Sequence, residues 1–138
     1  MRYDEMKTKH EKELNDFEGM FFAFNDKQFN EGMEKIELKE KDTALICSLG
    51  SGGYMLKSRK KVFNNMFLAR TNEMETALKE KDFLQDALSY ELANHEYCIT
   101  YELEDTFDAL GLTFEDIKAV DGGLDALREA KESAMCCC

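Results

Sequence analysis

Acidic side chains are the most concentrated chemically active groups in this chain, and they lie in its last two-fifths. Residues 82–138 carry fourteen acidic and three basic side chains, which account for the whole formal net charge of −11. Within residues 82–121, eleven acids accompany a single base, Lys118. Such a field repels nucleic acid and attracts basic partners. We therefore expect a partner-binding surface formed by Asp82, Asp86, Glu91, Glu102, Glu104, Asp105, Asp108, Glu115 and Asp116.

The acidic surface also has a plainer interpretation, a solvated face that keeps the protein soluble. Acids at positions 82/86, 104/108 and 105/108 share helical faces, where each like-charge pair costs roughly 0.2–0.5 kcal/mol. Because these repeated like-charge pairs lower the stability of the helices, they indicate that the acids serve a role other than folding. We therefore favour a surface that binds a basic region of another protein.

A second candidate site lies earlier in the chain, where the glycine-rich stretch Gly50–Gly53 precedes four basic residues between 57 and 61. Backbone amides and basic side chains at a helix start favour anions. This alternative is a small-anion or nucleotide-binding site formed by Gly52, Gly53, Arg59 and Lys60. No Gly-Lys-Ser/Thr closes the glycine run as in a phosphate-binding loop. The glycines are equally explained by a hairpin turn that needs positive φ.

Arrangements for catalysis or metal binding are not visible in the sequence. His95-Glu96 begins like a zinc-protease motif, but position 99 is Ile rather than the second His. The carboxylates around Asp105 lack the alternating spacing of a calcium-binding loop. We predict a protein that is not an enzyme, with no catalytic residues, no metal and no cofactor.

The bulk properties predict one domain over residues 1–135, followed by the cysteine tail 136–138. No apolar run approaches the roughly 18 residues that a membrane-spanning helix needs, and the charged start of the chain lacks the apolar core of a secretory signal. These features favour a cytoplasmic protein. The odd count of five cysteines predicts reduced thiols. The tail could bind a soft metal, carry a lipid, form intermolecular disulfides, or be a frayed end.

Hydrophobic periodicity predicts a mainly α (α+β) fold, a multi-helix domain with one small β-hairpin around residues 43–57. Asn25 and Gln28 have the spacing of a capping box, and Phe24 and Phe29 that of a hydrophobic staple. Residues 20–24 are apolar but too few to assign by period. The predicted helices cover residues 3–16, 26–36, 58–79, 82–95, 104–110, 114–120 and 124–135.

Three signals refine the later helices. Ser58 is the expected cap of the long helix over residues 58–79, and Gly111 is a suitable residue to end the helix over 104–110. Thr113 and Asp116 have the spacing of a further capping signature. We expect the long helix to turn these residues inward: Val62, Phe63, Met66, Phe67, Met74, Ala77 and Leu78.

Four stretches carry a resemblance to a known group of proteins: FAFNDKQF at 22–29, SLGSGGY at 48–54, YELANHEY at 90–97 and DTFDALGL at 105–112. Together they resemble a family of small uncharacterised proteins of gut bacteria, their phages and mobile elements, over about residues 3–120. The family has no assigned activity, so the resemblance transfers no functional residue.

The resemblance implies a biological context. Small acidic proteins of phages and mobile elements often bind and block host machinery, including nucleic-acid-handling defence enzymes such as CRISPR effectors. The expected function is therefore an accessory protein that binds a basic protein surface, as a nucleic-acid-mimicking inhibitor of a host defence complex. The expected partner is a nucleic-acid-binding host enzyme, with no direct contact to nucleic acid or membrane. A homo-oligomeric structural protein is a further alternative.

Overall fold

A computed structural model describes residues 1–39 and 41–136. The described chain consists of α-helices and one small antiparallel sheet, so the predicted mainly α (α+β) class is confirmed. The strands are β1 (Met20–Phe22), β2 (Ile46–Gly50) and β3 (Gly53–Leu56). The helices are α1 (Tyr3–Asn15), α2 (Asp26–Lys35), α3 (Lys60–Ala77), α4 (Lys81–Asn94), α5 (Tyr97–Thr100), α6 (Glu104–Leu110), α7 (Phe114–Ala119) and α8 (Gly123–Cys136).

Two compact units account for the described residues. One, the helical unit, combines residues 1–11 with the chain from Thr71 onward, and the other, the sheet unit, is Lys12–Arg70. Each unit has its own group of buried apolar side chains. The sequence predicts a single domain over residues 1–135 followed by a tail, and this domain assignment stays a prediction.

The core of the helical unit lies between α4 and α8. Leu84, Leu88 and Leu92 recur every four residues along α4 and are 0% exposed. On α8, small side chains at the same spacing (Ala126, Ala130 and Ala134) are buried against this core. Alanines at that spacing let the two helix backbones approach closely, since no long side chain separates them. The predicted weak terminal helix is therefore a buried core element.

The short helices α6 and α7 begin and end where the sequence predicts. Gly111 follows α6 with φ 65°, a left-handed conformation that glycine adopts without a steric penalty. At the start of α7, the Thr113 side chain accepts a hydrogen bond from the Asp116 amide, and the Asp116 carboxylate accepts one from the Thr113 amide. This reciprocal capping box holds the first turn of α7.

The sheet unit contains one strand that the sequence left unassigned. The strand order is β1-β3-β2, with both neighbours antiparallel to β3. On β1, Phe21 stacks against Tyr54 with ring centroids 5.4 Å apart. A Cβ on Gly32 of α2 would lie 2.1 Å from the Phe21 ring, so only glycine allows this close approach. The hairpin prediction is confirmed, and β1 extends it to three strands.

The cap of α2 differs partly from the prediction. Asn25 accepts a hydrogen bond from the Gln28 amide, as expected of an N-cap. The Gln28 side chain, however, accepts its bond from the Phe24 amide rather than from Asn25. Phe24 is 76% exposed and its ring covers Gly52, so the predicted staple with Phe29 is wrong.

Helix α3 is more exposed than predicted. It follows a short 3₁₀ turn over Lys57–Arg59, so Ser58 does not cap it. No residue of α3 is fully buried, and Val62 and Phe67 are exposed, contrary to their predicted inward orientation. Of the predicted inward set, only Leu78, just beyond the helix, is buried.

Candidate functional site

The predicted acidic surface is concentrated in one short segment of the helical unit. We define the acidic segment by the exposed residues Glu102, Glu104, Asp105, Asp108, Glu115 and Asp116. It runs from the end of α5 through α6 to the first turn of α7. Within these fifteen positions the sequence places no basic residue.

The charges of the acidic segment are not neutralised by neighbouring bases. None of its six carboxylates forms an ion pair with a residue in the described ranges 1–39 and 41–136. Asp116 is engaged only by the Thr113 amide in the capping box. Glu104 and Asp105 occupy the first turn of α6, where negative charge is favourable next to the helix N-terminus. The remaining charge projects into solvent.

Exposed apolar side chains accompany these charges. Ile99 is 69% exposed, Tyr101 is 65% exposed and Phe114 is 48% exposed, and all three lie within or beside the acidic segment in the sequence. Aromatic residues are enriched where proteins bind each other, because they offer large contact areas with a polar edge. A face that serves solubility alone has no need for them.

One predicted surface acid on α4, Asp86, takes part in the packing of the helical unit. The Asp86 carboxylate accepts a 2.8 Å hydrogen bond from the Tyr3 amide, one of the unpaired donors at the start of α1. It also lies 3.7 Å from the Arg2 guanidinium. Asp82, one turn earlier, is exposed and borders a shallow depression with Asp86. Asp86 therefore caps α1, and its predicted partner-binding role stays a prediction.

Glu91 is the largest correction to the predicted surface, because its side chain is only 2% exposed. It accepts hydrogen bonds from the Tyr3 hydroxyl at 2.6 Å and from Lys7 Nζ at 3.2 Å. Asn94 donates at 3.5 Å, and His95 Nε2 lies 3.2 Å from the second carboxylate oxygen. We call Tyr3, Lys7, Glu91, Asn94 and His95 the Glu91 network.

The protonation of this network follows from its contacts. Burial alone would raise the pKa of Glu91, but hydrogen bonds from Tyr3 and Lys7 outweigh that effect and lower it. Burial, together with the hydrogen bond to Glu91, raises the pKa of the Tyr3 hydroxyl well above its ordinary value. The carboxylate therefore stays charged and the phenol stays neutral near pH 7. This pattern stabilises the fold and leaves Glu91 unavailable to a partner.

No local pattern in the sequence predicts the Glu91 network. Tyr3 and Glu91 are 88 positions apart, and each was interpretable from its own helix alone. Lys7 lies one turn after Tyr3 on α1, and its Nζ stands 4.9 Å from the centre of the Tyr90 ring. Only the packing of α1 on α4 brings these groups together, and periodicity does not encode which helices pair.

In the alternative anion site, structural roles account for most of the predicted residues. Gly50 and Gly52 have φ 81° and 80° in the turn between β2 and β3. Gly53 is buried in β3, and Lys60 is exposed at the start of α3. Arg59 donates to the Glu18 carbonyl at 3.3 Å and lies over the Phe17 ring. The glycines and Arg59 thus have structural roles, whereas the structure gives Lys60 none, and the anion site stays a prediction.

The cysteines differ in their bonding state. Cys47 and Cys136 carry free thiols, whereas Cys98 is disulfide-bonded, so the expectation of reduced thiols is wrong at Cys98. Positions 137 and 138 of the predicted tail lie outside the described residues. Among the residues that the structure does describe, no group of three or more His, Cys, Asp or Glu side chains could hold a metal ion. In that same part of the chain, no helix combines the length and apolar character required to cross a membrane.

Comparisons with known proteins identify a family but no function. No curated protein matches the chain, and no solved structure does. A family model described as a family of unknown function, DUF7659, matches residues 2–133. This match covers nearly the whole chain, from α1 to the last helix. The chain therefore belongs to the DUF7659 family.

Proposed function

We propose that this protein acts without catalysis, by docking the acidic segment on a basic surface of another protein. The observation that carries the proposal is the set of six exposed carboxylates within fifteen residues, none of them in an ion pair with a described residue. Unpaired charge of one sign accelerates and orients association with a surface of the opposite sign.

The nature of the partner surface follows from charge density. Duplex DNA presents one negative charge per roughly 1.7 Å of its axis, and a helical segment dense in acids offers a comparable field to a protein that binds nucleic acid. We propose more specifically that the partner is a nucleic-acid-binding host enzyme of a defence complex. The chain would inhibit this enzyme by occupying its nucleic-acid site. The exposed Tyr101 and Phe114 support a protein partner, since they supply apolar contacts beside the charges.

The test uses an immobilised chain and a bacterial lysate fraction retained on heparin, which is enriched in nucleic-acid-binding proteins. The acidic-segment variant carries Glu102→Lys, Glu104→Lys, Asp105→Lys and Asp108→Lys. A control variant reverses the same number of exposed acids outside the acidic segment: Glu11→Lys, Asp16→Lys, Glu18→Lys and Glu34→Lys. We expect capture by the native chain and the control, elution by moderate salt, and competition by duplex DNA.

Two results would contradict the proposal. Equal capture by the acidic-segment variant and the control at moderate salt would show that general charge, and not this segment, attracts the captured proteins. Capture that duplex DNA does not reduce would reject nucleic-acid mimicry while leaving a basic protein partner in place.

Self-association is a second candidate, supported by a different observation. Residues 43–72 contain five bases and no acids, and Val62, Phe67 and Leu68 of α3 are exposed in this stretch. Exposed apolar side chains on a helix with no buried residue indicate a surface for another chain. Sedimentation velocity with reductant should show concentration-dependent oligomers that Leu68→Glu abolishes. A monomer at all concentrations would reject this candidate.

A further inference from the structure

A cavity of about 470 Å³ lies in the helical unit beside the last part of the acidic segment. Its apolar lining includes Leu78, Leu112 and Val120, of which Leu78 is 3% exposed. The carboxylate-bearing residues of its lining are Glu75, Asp116 and Asp121. The volume falls in the range of about 300–1,000 Å³ that is typical of binding pockets.

Three helix C-termini meet at this cavity. Leu78 and Lys79 follow the end of α3, Gly111 and Leu112 follow α6, and Val120 follows α7. The last carbonyl groups of a helix carry partial negative charge. Here several of them already accept hydrogen bonds from the amides that follow, such as Thr76 from Lys79, Asp108 from Gly111 and Ile117 from Val120. The three carboxylates are therefore the main source of negative potential at the cavity.

One base, Lys79, contributes to the lining and offsets one of the three negative charges, which leaves a net charge of −2 among the lining side chains. Lys79 is exposed and forms no ion pair with any residue of the described chain. Asp116 uses one carboxylate oxygen in the capping box, while Glu75 and Asp121 are exposed without an ion pair in the described ranges. The cavity thus combines an apolar floor with a negatively charged rim.

We propose that this cavity receives an arginine side chain from the basic protein partner. The aliphatic stem of arginine would lie against Leu112 and Val120, and its guanidinium would meet the carboxylates of the rim. Arginine suits such a site because its stem packs on apolar surface while its planar head donates several hydrogen bonds. The inference rests on the proposed function, since it names the anchor by which the basic partner is held next to the acidic segment.

The test is an NMR titration of the labelled full chain with two short peptides, acetyl-Gly-Arg-Gly-amide and its citrulline counterpart. Citrulline has nearly the same shape as arginine but no charge. We expect saturable shifts at the amides of Gly111, Leu112 and Val120 with the arginine peptide, and at least tenfold weaker binding of the citrulline peptide.

Two variants and a matched control localise the effect. Glu75→Gln with Asp121→Asn should weaken binding of the arginine peptide about fivefold, the expectation for two exposed charge pairs. Ala119→Trp should abolish it by filling the cavity, because Ala119 is an exposed residue of the lining. Glu11→Gln with Glu34→Gln neutralises two exposed acids outside both the cavity and the acidic segment and should leave binding within twofold.

Several outcomes would overturn the inference. Equal binding of the two peptides would indicate an apolar pocket without preference for a cation. Shifts that avoid the cavity, or that the control variant removes as fully as Glu75→Gln with Asp121→Asn, would place the cation elsewhere. If free butylguanidinium binds more tightly than the arginine peptide, the preferred ligand of the cavity is a small organic cation and not an arginine side chain of a protein.

The failure of this inference is distinguishable from failure of the proposed function. If the arginine peptide does not bind but the acidic-segment variant still loses lysate capture, the acidic segment docks a partner without this anchor. If lysate capture is unaffected by the acidic-segment variant, the proposed function itself fails, whatever the peptide does.

Discussion

Helix α4 carries three acids in fourteen residues and the acidic segment six in fifteen, and the structure uses most of these charges in opposite ways. On α4, Asp86 caps α1 and Glu91 is enclosed by donors from Tyr3 and Lys7. In the acidic segment, six carboxylates face solvent without an ion pair to a described residue. The net charge of a sequence therefore counts two kinds of acid together. Some stabilise the fold through internal contacts, and others remain exposed and available to a partner.

The largest effect that separates the two regions is expected in partner capture. Reversing Glu102, Glu104, Asp105 and Asp108 to Lys should reduce capture of the heparin-retained fraction by about 100-fold, since several interfacial charges become repulsive together. The free energy of unfolding should fall by no more than about 2 kcal/mol, because the four side chains are exposed and only Glu104 and Asp105 lose a favourable position at the start of α6. Urea denaturation beside the capture assay checks both numbers, and a variant that unfolds would refute the assignment of these acids to a free surface.

A second prediction concerns the Glu91 network. Tyr3→Phe should cost about 1–3 kcal/mol of unfolding free energy, because it removes a 2.6 Å hydrogen bond and leaves a buried carboxylate short of a donor. Tyr101→Phe is the matched control, since Tyr101 is 65% exposed and should tolerate the change. Equal stability of the two variants in urea denaturation would argue against an internal role for Glu91.

The pH dependence of stability has a defined sign. Because the folded state lowers the pKa of Glu91, this carboxylate contributes stability above its unfolded pKa of about 4.3, and the contribution is lost as the pH falls through the lower folded value. The native chain should therefore lose stability more steeply below pH 4.3 than the Glu91→Gln variant. Urea denaturation of both proteins at pH 7, 4 and 3 measures the difference, and parallel profiles would contradict the assigned pKa direction.

The smallest expected effect lies at the end of the acidic segment. Thr113→Ala removes the side-chain half of the capping box and should cost about 1 kcal/mol. Thr113→Ser keeps the hydroxyl and should recover most of that loss. Capture should change less than twofold in both variants, because the carboxylates remain. A large loss of capture with Thr113→Ala alone would mean that the start of α7 positions the binding surface.

Local sequence signals predicted the short helices well because their determinants are local. The capping box of Thr113 and Asp116 and the glycine after α6 fix their ends within a few residues. Strand β1 escaped prediction because three residues show no period, and its identity depends on pairing with β3 more than thirty positions later. The exposure of Val62 and Phe67 on α3 likewise depends on which elements lie nearby.

The candidate site was predictable in part for the same reason. Charge along residues 102–116 is a local property and persists at the surface. Burial of Glu91 is a non-local property, set by Tyr3 and Lys7 from the start of the chain. A helical wheel places Glu91 on the same face as Leu84, Leu88 and Leu92. It does not show that the Tyr3 hydroxyl and the Lys7 ammonium donate hydrogen bonds to it there.

The most direct test of the division between structural and available acids compares two isosteric substitutions, Glu91→Gln and Glu102→Gln, by urea denaturation at pH 7. Each removes one negative charge from the same acid-rich stretch. We predict a loss of about 2–3 kcal/mol for Glu91→Gln, whose charged hydrogen bonds are buried. For the exposed Glu102→Gln we predict a change within about 0.5 kcal/mol. Equal effects of the two substitutions would contradict the division.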